Sequence, residues 1–193
     1  MKRNMIFLIL ILITISCSFF LYLSNNKLEK KQQSIREFEN DICLVNYELN
    51  ISNSGVKIPD MQLFFDSLSN IMSSRKKPIL VLRIKGYYCN TCIDSEFKSM
   101  EKMPEELKNN TYLFVSNLSR RLLKQSLKKH NLNLAHEEIP LNILEKYNFE
   151  KHEYPYYFLL HEDMRISHIF IPDKQFEDLT IRYFNSIKRW IQD

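Results

Sequence analysis

The chain opens with one long apolar run and then changes character. Behind Lys2 and Arg3, residues 5–23 carry no charge and are nearly all apolar. A helix needs about 20 such residues to cross a bilayer, so the run predicts a transmembrane helix. It continues through "FFLYL" without a small-residue cleavage site, which favours an uncleaved anchor over a signal peptide. A buried core helix is the weaker alternative for a terminal run. Residues 25–40 are polar and helix-prone, with Leu28, Ile35 and Phe38 sparsely spaced, and read as a stalk. The pattern divides the chain into an anchor or signal segment (1–24), a polar stalk (25–42) and a globular domain (43–193).

Within the domain the periodicity alternates. "CLVNYEL", from Cys43, predicts an edge strand, and residues 65–74 a short helix. "PILVLRI" is a dense β-rich run bounded by Pro78 and Gly86, as expected of a buried central strand. A helix is expected over residues 91–103, stopped by Pro104, then a second buried strand at "TYLFVSN". "LSRRLLKQSLKKH" is amphipathic, with Leu118, Leu122, Leu123 and Leu127 on one face and basic residues on the other. Residues 141–147 read as a short helix. "YYFLL", "HEDMR" and "ISHIFI" read as strand, turn and strand, and "FEDLTIRYFNSIKRWI" as a closing helix. Strands alternating with helices, followed by a hairpin, predict an α/β sandwich with a mixed sheet.

Composition narrows the function. The net charge is +4, from 27 basic and 23 acidic residues, too mild and mixed for a nucleic-acid partner. Two glycines cannot build a phosphate-cradling loop. Lys27, Lys30, Lys31 and Arg36 follow the apolar run as Lys2 and Arg3 precede it, so the charge count does not choose a side. "TISC" at Cys17 loosely matches a bacterial lipoprotein processing site, although Thr14 is a poor residue three positions before the cysteine. Either reading tethers the domain to a membrane.

The candidate chemistry lies in "KPILVLRIKGYYCNTCIDSEF". Cys89 and Cys92 could be a redox pair, half of a zinc site or inert thiols. Zinc normally takes four ligands, and neither Cys17, Cys43 nor the five histidines supply the spacing. Position favours redox chemistry, because the pair stands where a buried strand hands over to a helix. A thiolate at a helix N-terminus is stabilised by the dipole and unpaired N–H groups. Lowering a thiol pKa from ~8.5 to ~7 raises the thiolate fraction at neutral pH from a few per cent to about half. Cys89 is thus the expected nucleophile and Cys92 the resolving thiol. Cys43 is read as a small buried residue, with an intermolecular disulfide as the alternative.

With this motif in place, residues 56–193 resemble the thioredoxin superfamily. The resemblance is nearest to membrane-tethered extracytoplasmic thiol–disulfide oxidoreductases of bacteria, and next to the alkyl-hydroperoxide-reductase/thiol-specific-antioxidant group. "VLRIKGYYCNTC" looks like that superfamily's strand, glycine, aromatic and CxxC, and "EYPYYFLLHEDMRISHIFIP" like its proline and hairpin. The resemblance implies a thioredoxin-like fold, a cis Pro155 packed beside the dithiol, and the backbone of Tyr154 facing a substrate polypeptide. It calls for no cofactor. There are departures. Arg83 stands where thioredoxins carry a buried Asp, so it is either the buried partner of a carboxylate or the mark of a strand edge. Tyr88 replaces the usual Trp, and Ser95 occupies the position where the tethered reductants often place a Glu. Glu96, one turn from Cys92, is the candidate for proton transfer, against the alternative of an ordinary exposed helix residue.

The expected function is exchange of disulfides with exported proteins in the bacterial periplasm, with electrons passing to or from a membrane partner. A thiol peroxidase is the second enzymatic reading, weakened because Gly86 stands where that group places Thr or Ser. A tethered binding module using Tyr87, Tyr88, Tyr154 and Tyr156 as a contact surface is the non-catalytic one.

Overall fold

The computed structural model describes residues 2–53, 55–58, 77–86 and 90–192. Within them, the side chains of 2–15, 38, 41, 42, 44, 45, 49, 51, 52, 90 and 192 lie outside the description. The helix expected over residues 65–74 lies outside it altogether, as do Tyr87, Tyr88 and Cys89. Two compact units are present, Met1–Leu44 and Val45–Asp193.

The second unit holds a five-stranded mixed sheet. Its elements are β1 (Ile79–Lys85), α2 (Asn90–Glu101), α3 (Glu105–Lys108), β2 (Thr111–Ser116) and α4 (Arg120–Lys129). There follow β3 (Ala135–Glu138), α5 (Leu141–Glu145), a 3-10 turn (Asn148–Lys151), β4 (Tyr156–Leu160), β5 (Ile166–Phe170) and α6 (Glu177–Gln192). The strand order is β3-β2-β1-β4-β5. β1 pairs parallel with β2 and antiparallel with β4; β2–β3 is parallel and β4–β5 antiparallel. β1 is buried along its whole length, as expected of a central strand flanked on both edges and covered on both faces.

The side chains of β1 sort by parity, since successive residues face opposite sides. Leu80, Leu82 and Ile84 join Ile93 and Phe97 of α2, Leu123 and Leu127 of α4, and Phe184 and Ile187 of α6. Ile79 and Val81 join Ile143 and Leu144 of α5, Phe149 of the 3-10 turn, and Phe158 of β4. Helices therefore cover both faces of the sheet, the arrangement of a thioredoxin-like fold. β3 has no apolar alternation, only the largely exposed "AHEE", and nothing in its sequence announced it as a strand.

Two expectations for the first fifty residues are corrected. The segment from Cys43 to Leu49 is not an edge strand: it lies in α1 (Lys2–Asn53). Cys43 is exposed rather than buried. The helix supplies from side chains what the expected strand would have supplied from its backbone. Asn50 accepts from the Ile169 N–H at 2.6 Å and donates to the Ile169 carbonyl at 2.7 Å. Asn46, one turn earlier, does the same with Ile171 at 2.8 and 3.4 Å. Two carboxamides at i, i+4 thus satisfy alternate peptide groups beyond a bulged edge strand, whose open N–H and C=O groups would otherwise invite pairing. Residues 55–58 continue the cover: Gly55 N–H bonds Ile166 O, Ile166 N–H bonds Val56 O, and Ile58 N–H bonds Met164 O.

Among the described residues no helix is long and apolar enough to cross a membrane. Residues 5–23 are helical along the backbone, but the side chains of residues 5–15, most of the run, are outside the description.

Candidate functional site

The site is set at the C-terminal end of β1. Parallel pairing puts Lys85 beside Ser116 at the end of β2, and antiparallel pairing puts Arg83 beside Tyr156 at the start of β4. The segment leading into β4 (Tyr154, Pro155) and the start of α2 therefore stand at the same pole of the sheet. The chain leaves β1 through Gly86, which only glycine can fill. A Cβ there would lie 1.8 Å from the Asn117 carbonyl oxygen and 2.4 Å from its carbon. The Gly86 N–H donates to Ser116 O at 2.7 Å, and Asn117 takes a positive φ of 52° to make the crossing. α2 begins at Asn90, one residue after Cys89, and carries Cys92, half-buried, in its first turn.

One turn beyond Cys92, Glu96 is only 4% exposed, not the ordinary surface residue that was the alternative. Neither its Oε2 nor the Tyr157 hydroxyl forms a hydrogen bond of ordinary geometry among the described residues. Burial pushes the Glu96 carboxyl up to about 8; the nearby phenol of Tyr157 opposes the rise, while Asp173 and Glu177 add to it. The same burial, with the Glu96 charge, holds the Tyr157 phenol well above its usual range. Glu96 is thus a mostly protonated acid at neutral pH, one turn from a cysteine.

On the opposite face of the sheet the structure resolves the reading of Arg83. It is wholly buried and is the partner of a carboxylate, not the mark of an edge. Its guanidinium donates to Glu150 Oε1 through Nε at 3.1 Å and through Nη2 at 2.7 Å, and to Ser116 Oγ at 2.8 Å. The Tyr156 hydroxyl donates to Glu150 Oε2, Lys85 Nζ to the Glu150 carbonyl, and Ser116 Oγ to the Ile139 carbonyl. Two cations face one anion in this buried network. Nearby His152 is pushed below its ordinary value by burial and then by Lys85. An arginine in an apolar strand was a signal that a carboxylate must exist, but nothing in "NFEKHEYP" marked Glu150 as that carboxylate.

Pro155 is buried, and its peptide bond is trans, not the cis bond that the resemblance implied. The trans form of an X–Pro bond is favoured by about 0.5–1 kcal/mol unless packing overrides it, and the extended entry to β4 accommodates it. Tyr154 is 57% exposed beside it. Tyr156, which the binding-module reading placed on a contact surface, is wholly buried with its hydroxyl on Glu150. Tyr88 and Cys89 fall outside the described residues, as does Tyr87.

A third cluster braces α2 against α4. His130, at the C-terminal end of α4, donates from Nδ1 to Glu101 at 2.6 Å and from Nε2 to Asp94 at 2.8 Å. Burial alone would lower its pKa, but the bonds to Asp94 and Glu101 outweigh that and raise it. In return the bonds from His130 and then Lys129 hold Asp94 below the usual carboxylate range. No group of metal-ligating side chains occurs among the described residues.

The sheet order, the helix packing on both faces and a CxxC at the strand-to-helix junction define a thioredoxin-like architecture. Solved structures with a likeness to the chain are few in shared residues but consistent in kind. One is a secreted Mycobacterium tuberculosis disulfide oxidoreductase homologous to E. coli DsbE: 15% identity over 57% of this chain and 83% of that one, TM-score 0.39. A thiol:disulfide interchange protein from a Bacteroides species shares 12% identity over 64% and 78%, TM-score 0.44. A thioredoxin family protein from Chlorobium tepidum TLS, also a thiol:disulfide interchange protein, shares 14% over 58% and 83%, TM-score 0.39. No family model matches the chain, and no curated protein does. The fold assignment accordingly rests on the topology, not on these overlaps.

Proposed function

We propose that this chain is a membrane-tethered, extracytoplasmic thiol–disulfide oxidoreductase that exchanges disulfides with exported proteins through Cys89 and Cys92. The observation that carries the reading is Glu96, a nine-tenths-buried carboxyl whose Oε2 has no hydrogen-bond partner among the described residues, one helical turn from Cys92. Side chains at i and i+4 on a helix are neighbours, with Cβ atoms about 5–6 Å apart.

The chemistry runs in two exchanges. The Cys89 thiolate attacks one sulfur of a substrate disulfide; that bond breaks, and the departing sulfur leaves as a thiolate that takes up a proton. Cys92 then loses its proton and attacks Cys89 in the mixed disulfide, releasing the second substrate thiol and leaving Cys89–Cys92 oxidised. Two electrons pass from the dithiol to the substrate disulfide. The second exchange needs a base. A carboxylate whose pKa is about 8 is close to matched with a thiol of ~8.5, the condition under which proton transfer is efficient. Oxidation of a substrate dithiol is the same sequence reversed, with Glu96 returning the proton.

Tyr154 and Pro155, at the same pole of the sheet, are the proposed substrate contacts, together with Tyr88. With Pro155 trans, this reading rests on position and on the exposure of Tyr154 alone. The membrane tether rests on the sequence of residues 5–23, and the domain is placed in the periplasm, anchored at the bacterial inner membrane; lipidation at Cys17 is the alternative tether. A membrane redox partner would reset the dithiol. The test is trapping in the native host. Cys92→Ala should accumulate mixed disulfides with exported proteins on non-reducing electrophoresis, and Cys89→Ala far fewer. Absence of adducts, with a wild-type dithiol that does not cycle in cells, would leave the tethered binding module as the better account.

A further inference from the structure

Beside Cys92 the surface is concave, and its chemistry is lopsided. A cleft of about 390 Å3 lies between α2 and α4. Its wall begins at Thr91, the residue before Cys92, and its apolar lining comes from Ile93, Phe97, Leu118, Leu122 and Leu123. Leu122 is half exposed, an unusual state for a large apolar residue on a helix whose other leucines are buried. Gln125, Ser126 and Lys129 complete the α4 side. These positions, 122, 125, 126 and 129, follow the i, i+3, i+4, i+7 spacing of one helix stripe.

The neighbouring stripe of α4 is purely cationic. α4 has five basic residues and no acidic one. Two of the five are answered: Arg120 pairs with Glu138 and Lys129 with Asp94. Arg121, Lys124 and Lys128 are exposed and have no ion-pair partner among the described residues. At i, i+3 and i+7 they run alongside the cleft. An occupant that puts an apolar side chain over Leu122 would hold its flanking residues against these three charges.

We infer that the α2–α4 cleft is a docking site for an acidic polypeptide segment, one apolar side chain entering beside Leu122 and carboxylates lying along Arg121, Lys124 and Lys128. The inference deepens the function proposed above and rests on it for its biological sense: it names acidic cysteine-containing polypeptides as the substrate class. A lipid surface is the other anionic partner a basic helix could meet. The structure favours the peptide, because a helix lying on a membrane buries its apolar face in lipid. Here Leu123 and Leu127, the apolar face of α4, are buried in the domain core, and the remaining apolar surface is concave.

The experiment uses the full chain and two synthetic peptides, each closed by one disulfide. They are identical except that four Glu flank the cysteines in one and four Lys in the other. Bis(2-hydroxyethyl) disulfide, too small and neutral to sense the stripe, is the control. The second-order rate constant for reduction by the pre-reduced chain should be about tenfold higher for the Glu peptide at low salt. The preference should fade toward 1 M salt, where charges are screened beyond about 3 Å. In R121E/K124E/K128E it should vanish or invert, with reduction of the small disulfide unchanged. Equal rates for the two peptides in the wild type overturn the docking site. If the small disulfide is not reduced at all, the oxidoreductase reading fails instead. Fluorescence anisotropy of the labelled Glu peptide, blocked at its cysteines, then decides docking by itself: binding lost in the triple variant supports the site, and binding unchanged overturns it. If the triple substitution weakens adhesion to phosphatidylglycerol vesicles but leaves peptide binding intact, α4 faces lipid and the proposal is overturned.

Discussion

Replacing Glu96 by Gln keeps the shape of the side chain and removes its titration. The wild-type carboxyl has a pKa of about 8 in the folded chain against 4.5 for the ordinary group. Because the folded value is the higher one, the native state holds a proton that the unfolded chain releases between the two values. Stability therefore falls as pH rises across that window, by about 1.4 kcal/mol per pH unit. The full interval corresponds to a ceiling of about 5 kcal/mol, less whatever is recovered by local water entry. Glu96→Gln escapes this cost. Its stability relative to wild type should be near zero at pH 4 and should grow steadily to pH 8, then level. Urea denaturation of both proteins at each pH measures the difference directly. The same substitution removes the proposed base for Cys92, so under the proposed mechanism the mixed disulfide at Cys89 should resolve about 100-fold more slowly. A stability difference that is flat or decreasing with pH would refute the burial argument. Unchanged resolution, with the stability effect present, would refute the proton-transfer role alone.

Other substitutions probe the supports of the site. Gly86→Ala should cost several kcal/mol and disturb the approach to the dithiol, because the added carbon meets backbone rather than a movable side chain; a melting curve within a degree or two of wild type would contradict the close approach. His130 is stabilised in its charged form by Asp94 and Glu101. Its folded pKa lies above the unfolded one, so its contribution is fully present below pH ~6.5 and fades as pH climbs through the folded value. His130→Gln should thus lose about 2 kcal/mol at pH 6 and much less at pH 9, seen by the same denaturation series. Glu150→Gln should cost about 3–5 kcal/mol in the same denaturation series, since it strands both Arg83 and Lys85 in a dry interior. Asn46→Ala with Asn50→Ala opens peptide groups at Ile169 and Ile171 and should increase self-association, measurable by sedimentation; an unchanged monomer fraction would show that the edge is protected by other means.

The central strand, the two buried neighbours and the hairpin were legible because their apolar runs have the length and parity of buried strands. The amphipathic stripes of α4 and α6 were legible for the same reason at a period of 3.6. What failed did so where side chains replace backbone or where surface hides pattern. "CLVNYEL" has a strand's composition, yet its decisive residues are Asn46 and, just past the stretch, Asn50, whose spacing of four is meaningful only against an edge that lies far away in sequence. β3 is polar and short, so it becomes a strand only because β2 offers it a ladder. Glu96 and Ser95 are adjacent, and only the helix phase, fixed by packing of Ile93 and Phe97, decides which of them is buried. Pro155 was expected to be cis from resemblance alone; no local feature of "EYPYY" specifies the isomer.

The two faces of β1 hold two buried carboxyl groups in opposite surroundings. At the strand position where thioredoxins carry a buried Asp, this chain has Arg83, and its partner carboxylate, Glu150, is engaged by Arg83, Lys85 and Tyr156. That network ties the C-terminal end of β1 to the 3-10 turn, on the face of the sheet opposite the one α2 packs against. On the other face, Glu96 meets the opposite environment: an apolar surround, with Asp173 and Glu177 disfavouring a further negative charge. Those influences raise its pKa, the Tyr157 phenol tempers the rise, and the value of about 8 lies close to that of a thiol. Under the proposed mechanism a strand cation and a helix acid divide the work, the first fixing the strand and the second exchanging a proton. If that division is correct, Glu150→Gln should lower stability while leaving the pH profile of mixed-disulfide resolution in place, and Glu96→Gln should remove the inflection near pH 8 while leaving the fold more stable at that pH. An inflection that follows Glu150 instead would reverse the assignment.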